Sequence, residues 1–218
     1  MVDYEKLRLA LVNDLKKRGV IKSQKVYDAM KKVPREEFIP VKSLKSQAYI
    51  DSPQRIGKGQ TISAPHMNAM MCEYLDLKKG QKVLEVGTGS GYHAALLAEI
   101  VGEKGKIISL ERIEKLADNA RNVFSRLEYN NIEVIVCDGS LGYEEGAPYD
   151  RILVTAASPT MNQNLINQLS GKGGKMCIPV GKKRWDQKLY VVEKNQGEIN
   201  KDIVCSVVFV PLVGEFGF

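Results

Sequence analysis

"VLEVGTGSGYHAALLA", Val83 to Ala98, runs from strand to turn to helix without a break. Val83, Leu84 and Val86 make a short β-branched and apolar run, and glycines follow at 87, 89 and 91. An apolar helix-forming stretch then begins at Tyr92. A strand, a glycine-rich turn and a helix in that order form the first half of a βαβ unit and the context of a nucleotide site. The spacing is G-x-G-x-G, and Tyr92 stands where a dinucleotide fingerprint needs its third glycine. A pyrophosphate cradle is therefore not expected here.

Outward from this stretch the alternation continues. "KIISLE" (106–111) reads as a strand, "IEKLADNARNVFSRL" (113–127) as a helix, and "IEVIVCD" (132–138) and "DRILVTA" (150–156) as strands. "TMNQNLINQLS" (160–170) reads as a helix and "KMCIPVG" (175–181) as a strand. Strands alternating with helices predict a parallel sheet with crossovers. Only "NQGEINK" separates "KLYVVEK" (188–194) from "DIVCSVVFVPLVG" (202–214). That spacing predicts a hairpin, with an antiparallel strand at one edge of the sheet. Toward the N-terminus, Leu7, Leu11 and Leu15 form the stripe of an amphipathic helix ended near Gly19. Ser23 caps a second helix with Val26, Met30 and Val33 on one face, closed by Pro34. Residues 34–63 hold Pro34, Pro40, Pro53, Gly57 and Gly59 and read as an ordered loop of functional length.

The expected fold is α/β: a doubly wound, mostly parallel Rossmann-like sheet with an antiparallel edge strand and an N-terminal helical extension. A single domain is expected over 1–218. Residues 1–65 give the N-terminal helices and a substrate and cofactor loop, and residues 66–218 the core with its C-terminal strands.

The chain has 218 residues, 44% of them apolar, enough to bury a sizeable core. No stretch of ~18 apolar residues is present, so no membrane span is expected. The charged N-terminus does not read as a secretory signal. Cys72, Cys137, Cys177 and Cys205 form no C-x-x-C pair and are accompanied by only two histidines. This argues against a zinc site and for core thiols in a reducing, cytoplasmic compartment. The net charge of +6 resides in residues 1–48, with 12 basic against 6 acidic side chains. No aromatic spacing accompanies them, so they read as a solvated helical face rather than a nucleic-acid surface.

Three consecutive strand ends carry polar sequences. The first bears the glycine turn. The second ends in Glu111, placed to accept hydrogen bonds from ribose hydroxyls or, more plainly, to start the next helix. The third ends in Asp138-Gly139, where an acid accepts from an adenine amino group or caps a turn. Together they favour a nucleoside ligand with no pyrophosphate, a description that S-adenosyl-L-methionine fits.

"VLEVGTGSGY" and "DGSLGYEEGAPYDRI" together resemble the class I S-adenosylmethionine-dependent methyltransferases. "DSPQRIGKGQTISAPHM" (51–67) and "VPLVG" (210–214) are more specific, and the chain resembles the protein-L-isoaspartate O-methyltransferases over nearly its whole length. The resemblance implies Gln60, Thr61, Ile62, Ser63, Glu85, Gly87, Thr88, Gly89, Ser90, Glu111, Asp138 and Gly139 around the cofactor. It implies Ile56, Gly57, Leu212 and Val213 on the substrate side and Ser63 as the catalytic residue. Val213 stands where relatives often carry threonine. Thr155 would border the methionine end of the cofactor.

The implied partners are isoaspartyl proteins and peptides, with no nucleic acid, membrane or metal. The implied reaction methylates the free α-carboxylate of an isoaspartyl residue, and the ester closes to a succinimide that reopens partly to aspartate. A carboxylate is already ionised at pH 7, so no general base is required. Positioning alone is worth ~7–11 kcal/mol in such a displacement. Ser63-Ala64-Pro65 also reads as a plain helix start with Ser63 as N-cap, and His66 and His93 read as structural. Residues 208–214 read as an exposed segment able to pair with an extended peptide.

The competing reading is a nucleic-acid methyltransferase on the same sheet. It lacks an aromatic residue in "VTAASPT" (154–160) to stack a base, and a Pro-Cys nucleophile. A non-catalytic cofactor-binding protein is the third reading.

Overall fold

The structure is a computed structural model describing residues 2–218. Two helices come first, α1 (Tyr4–Lys17) and α2 (Gln24–Lys32). Asp3 caps α1 by accepting from Lys6 N, and Ser23 caps α2 by accepting from Val26 N. The inner stripe of α1 is Leu11, Val12 and Leu15, while Leu7 faces outward, 39% exposed.

The stretch read as a loop, 34–63, is more structured than expected. It holds 3₁₀ turns at Arg35–Phe38 and Lys42–Gln47 and a two-stranded antiparallel hairpin of β1 (Gln54–Gly57) and β2 (Gln60–Ile62). Lys58 and Gly59 both take positive φ, 51° and 73°, the backbone that lets a two-residue turn follow the strand twist. A lysine takes the first of those positions, where asparagine, aspartate or glycine is the usual sign of such a turn.

Helix α3 (Pro65–Leu75) leads into the main sheet. Its elements are β3 (Lys82–Val86), α4 (Tyr92–Val101), β4 (Lys106–Glu111), α5 (Glu114–Arg126) and β5 (Ile132–Val136). Then come β6 (Arg151–Val154), α6 (Gln163–Gln168), β7 (Lys172–Lys182), β8 (Trp185–Asn195) and β9 (Glu198–Val207). The strand order is β5-β4-β3-β6-β7-β8-β9. The first five are parallel, and β8 and β9 are each antiparallel to the preceding strand. The expected hairpin is present as β8 and β9, and β7 joins it to make a three-strand antiparallel meander at that edge of the sheet. The turn between β7 and β8 carries Arg184 with φ of 67° in place of glycine, and Asp186, just inside β8, has φ of 49°, which concealed it.

Buried side chains lie on both faces of the sheet. One cluster joins α1, α2, α3 and α4 through Leu11, Leu15, Val26, Met30, Cys72 and Leu96. The other packs Leu84, Ile108, Ile152, Leu165, Met176 and Ile178. The chain turns one way from β3 to β4 and β5, and the other way from β6 to β7. That reversal opens a crevice at the carboxyl ends of β3 and β6, where doubly wound sheets bind ligands. Among the described residues no helix is long and apolar enough to cross a membrane.

Candidate active site

The glycine turn fills the crevice floor because only glycine fits it. Gly87 has φ +98°, and a Cβ there would lie 2.3 Å from Thr155 Oγ1. Gly91 has φ +89°, and its Cβ would lie 2.7 Å from Phe124 Cζ. The turn is held from both sides. Gly87 N and Thr88 N donate to Leu110 O at 2.8 and 3.0 Å, and Thr155 Oγ1 donates toward Gly87 O at 2.8 Å. The Thr155 hydroxyl is thereby committed to the backbone, although the residue borders the cleft.

Glu111 at the end of β4 is buried, 6% exposed. Its Oε2 accepts from Gly89 N and its Oε1 from Ile113 N, each at 2.9 Å. Each carboxylate oxygen retains acceptor capacity for a hydroxyl donor. Glu85 lies beneath the turn, outside the cleft wall. Its Oε2 accepts from Ser109 Oγ, which lies 2.6 Å from Thr88 Oγ1, and its Oε1 has no partner. Burial, reinforced by the nearby Glu111 charge, pushes its carboxyl up to about 8 against the bond from Ser109, so Glu85 holds a proton at neutral pH.

Asp138 sits behind the cleft. Ser140 N and Oγ donate to its Oδ1 at 2.9 and 2.7 Å, and Glu215 N donates to its Oδ2 at 2.8 Å. Burial works to raise this carboxyl, but the bonds from Glu215 and Ser140 outweigh it and hold the group below the usual range. Asp138 therefore anchors the C-terminal segment, and Gly139 is the member of the pair that lines the cleft.

On the opposite wall, Ala64 and not Ser63 is the N-cap of α3, with Pro65 in the first turn and no side-chain cap bond. Ser63 instead stands where two cavities meet. The first, about 790 Å³ counted with its open mouth, holds the glycine turn, Glu111, Gly139 and Val213. The second, about 890 Å³ on the same measure, is walled by Pro53, Met67, Val208 and Phe209. Thr61, Ser63, Thr155 and Val210 line both. The 208–214 segment runs along this junction. One of its edges is already paired, since Ala157 N donates to Val210 O and Leu212 N to Ala157 O, both at 2.8 Å.

The wall behind Ser63 is polar and was not foreseen. Arg35 is fully buried. It donates to Ala48 O at 2.9 Å, to Ser63 O at 2.7 Å and to Asn68 Oδ1 at 3.3 Å, and it lies 4.8 Å from the Tyr92 ring centroid. Burial lowers its pKa to about 10, which leaves it a cation at neutral pH. Asn68 lines the cleft and passes the contact on, with Nδ2 3.1 Å from His93 Nδ1. Burial, with the Arg35 charge nearby, drives His93 down to about 3, so it is a neutral ring. Asn68 Nδ2 can only donate, so the His93 proton resides on Nε2, 3.4 Å from Cys72 Sγ.

The structure thus brings twelve expected residues into the first cavity: Gln60, Thr61, Ile62, Ser63, Gly87, Thr88, Gly89, Ser90, Glu111, Gly139, Leu212 and Val213. Glu85 and Asp138 support it from behind. Ile56 is buried, with Cδ1 3.5 Å from where a Gly89 Cβ would sit, and Gly57 is exposed in the hairpin; neither lines the two cavities. Asn68 and Arg35, which adjoin Ser63, were not singled out from the sequence. His93 borders the cleft as a buried ring between Asn68 and Cys72.

The first cavity suits an adenosyl group. Glu111 offers a carboxylate to hydroxyls and would repel a phosphate, and Val86, Leu110, Ile113 and Leu212 supply apolar wall. Among the described residues no Phe, Tyr or Trp lines it, and its one ring, His93, is buried and held by Asn68.

Comparison with known proteins agrees. The family profile for protein-L-isoaspartate(D-aspartate) O-methyltransferase (PCMT) matches residues 6–217. Protein-L-isoaspartate O-methyltransferase 2 of Archaeoglobus fulgidus is 54% identical over 100% of this chain and 97% of its own. The protein-L-isoaspartate O-methyltransferase of Methanopyrus kandleri is 52% identical over 99% and 95%. Among solved structures, a beta-aspartate methyltransferase (PCMT) from Plasmodium falciparum, in complex with S-adenosyl-L-homocysteine, superposes with a TM-score of 0.83. It is 32% identical, over 94% of this chain and 98% of that one.

Proposed function

The chain belongs to the protein-L-isoaspartate (D-aspartate) O-methyltransferase family, and we propose the following roles for its residues in that family's reaction. The protein methylates the α-carboxylate of isoaspartyl residues in damaged proteins and peptides, with S-adenosyl-L-methionine as methyl donor. The resulting ester closes to a succinimide, which reopens partly to aspartate. When bound, the cofactor supplies an electrophilic methyl group.

The observation that carries the assignment of roles is the placement of Ser63 at the junction of the cavity that suits an adenosyl group and a second, more apolar one, freed from capping α3. Its hydroxyl donates to one oxygen of the incoming carboxylate and leaves the other to attack. No base is needed, because the acceptor is already an anion. Glu111 orients the ribose through its two remaining acceptor sites. Gly87, Thr88, Gly89 and Ser90 form the floor under the cofactor, with Gln60, Thr61 and Ile62 as its cover. Gly139 borders the adenine side. Leu212 and Val213 close the junction and keep competing water away. The second, apolar-walled cavity receives the peptide flanking the damaged residue. On this reading the partners are isoaspartyl peptides and proteins, without nucleic acid or metal.

The test uses two peptides that differ only in an isoaspartyl against an aspartyl linkage. Each is incubated with methyl-labelled cofactor, and base-labile methanol is counted. Label from the isoaspartyl peptide alone supports the reading. Equal label from both, or none from either while S-adenosyl-L-homocysteine still binds, overturns it.

A further inference from the structure

Among the described residues no carboxylate forms a salt bridge with Arg35, a buried cation. All three of its hydrogen-bond partners, Ala48 O, Ser63 O and Asn68 Oδ1, are neutral, and so is the Tyr92 ring beside it. The acids near it are engaged elsewhere. Glu36 is held by Arg8 and by the Tyr49 hydroxyl. Asp51 accepts from His66 N, sits 2.8 Å from His66 Nδ1 and pairs with Arg18. An unpaired buried charge is among the more expensive things a fold can contain, and an apolar residue of similar size packs such a space at lower cost. A fold that retains the charge implies an anion that is present only part of the time. Arg35 holds the Ser63 carbonyl and the Asn68 side chain, and both residues line the cavity in which a carboxylate must be placed.

We propose that Arg35 is the residue that selects an anionic acceptor. It fixes the Ser63–Asn68 wall and, through that neutral layer, places a positive potential where the isoaspartyl α-carboxylate sits. Arg35 touches neither ligand and acts as a positioning and specificity residue; the inference rests on the reading of function above. Methyl transfer turns the carboxylate into a neutral ester, so the attraction that gathers the substrate vanishes in the product. The same charge then favours both entry of the acceptor and departure of the ester.

The test compares binding of two peptides to the protein saturated with S-adenosyl-L-homocysteine. One carries the isoaspartyl α-carboxylate and the other its neutral α-carboxamide. The wild-type protein is expected to prefer the carboxylate by ~10-fold or more, since a single charge at several ångströms in a partly dry site has that much effect. The preference should persist between about 0.05 and 0.5 M salt, because a buried charge is screened far less than an exposed lysine. Arg35→Gln is expected to abolish the preference while S-adenosyl-L-homocysteine affinity holds and KM for peptide rises more than kcat falls. Arg35→Lys should restore part of it, because the charge returns without the fork that holds Ser63.

A purely structural role would lower both affinities together and leave the carboxylate-to-carboxamide ratio intact, and that result overturns the proposal. If Arg35→Gln does not fold, the wild-type ratio decides: a ratio near one, or one that fades with salt, assigns the selection to surface charges. Methylation of the isoaspartyl peptide by the wild type is scored in the same experiment. Its absence removes the functional reading, and the inference with it. Its presence without a carboxylate preference removes the inference alone.

Discussion

Glu85 makes a prediction about stability that can be worked from its surroundings. The carboxyl is buried, one oxygen has no partner, and its folded-state value is about 8 against 4.5 when exposed. The folded chain therefore keeps a proton that the unfolded chain releases above pH 4.5. Linkage then fixes the sign. The contribution is fully present below pH 4.5 and is lost as pH rises to about 8. Each pH unit in that window costs about 1.4 kcal/mol, so the full loss is on the order of 5 kcal/mol. Glu85→Gln replaces the neutral acid with a neutral amide that still accepts from Ser109. Urea denaturation of the ligand-free wild type and variant, at unit steps from pH 5 to pH 9, reads the effect directly. The stability difference should swing in favour of the variant across the window and level off near pH 8. Two curves that stay parallel throughout would show that Glu85 is ionised in the fold, and the argument from its burial would be wrong.

Ser63→Ala is expected to lower kcat by ~10- to 100-fold through one lost hydrogen bond to an anion. S-adenosyl-L-homocysteine affinity and the melting temperature should stay nearly unchanged, because Ala64 rather than Ser63 caps α3; a capping serine would lower stability by ~1 kcal/mol instead. Gly91→Ala combines a φ of +89° with a Cβ 2.7 Å from the Phe124 ring. It should destabilise the fold by ~2 kcal/mol or more and abolish S-adenosyl-L-homocysteine binding, both measurable by calorimetry. Asp138→Asn weakens the hold on Ser140 and Glu215 and should cost about 1 kcal/mol at pH 7 after allowance for solvent screening. Asp138 is held below the ordinary 3.8, so its contribution is present above that value and lost as pH falls through the lower, folded one. Melting curves of wild type and variant should accordingly converge in strong acid.

How far the sequence disclosed this molecule depends on how local each signal is. The turn at Gly87–Gly91 and the acid at Glu111 were legible because strand, turn and helix follow one another along the chain. A parallel sheet then carries every strand end to the same edge. The hairpin at 54–62 and the β7–β8 turn were hidden, because Lys58, Arg184 and Asp186 take left-handed backbone that is usually left to glycine or asparagine. Asp138 shows a different limit. Its residue type fits both an adenine contact and a cap, and only the folded C-terminus, through Glu215 N, shows what its carboxylate does. Arg35 was the least legible. In "VPREEF" it looks like one more solvated charge of a basic N-terminal region. The side chains that bury it, Asn68 and Tyr92, lie 33 and 57 positions further along the chain. No spacing rule reaches that distance.

The acceptor's charge explains why the site has this composition. An enzyme that must create its nucleophile needs a base with a value near neutrality. His93, the buried ring beside Asn68, is driven to about 3 and tuned away from that role. Glu85 lies beneath the glycine turn, outside the cleft wall. Cys72 and Cys177 are buried thiols, the first raised well above its ordinary value and the second to about 12, so neither supplies a thiolate. The Ser63 hydroxyl, the Asn68 amide and the Arg35 guanidinium behind them make up one wall of the site. That wall can hold an anion and cannot remove a proton. Its chemistry suits an acceptor that arrives already ionised, and a carboxylate is the acceptor that meets this condition at neutral pH.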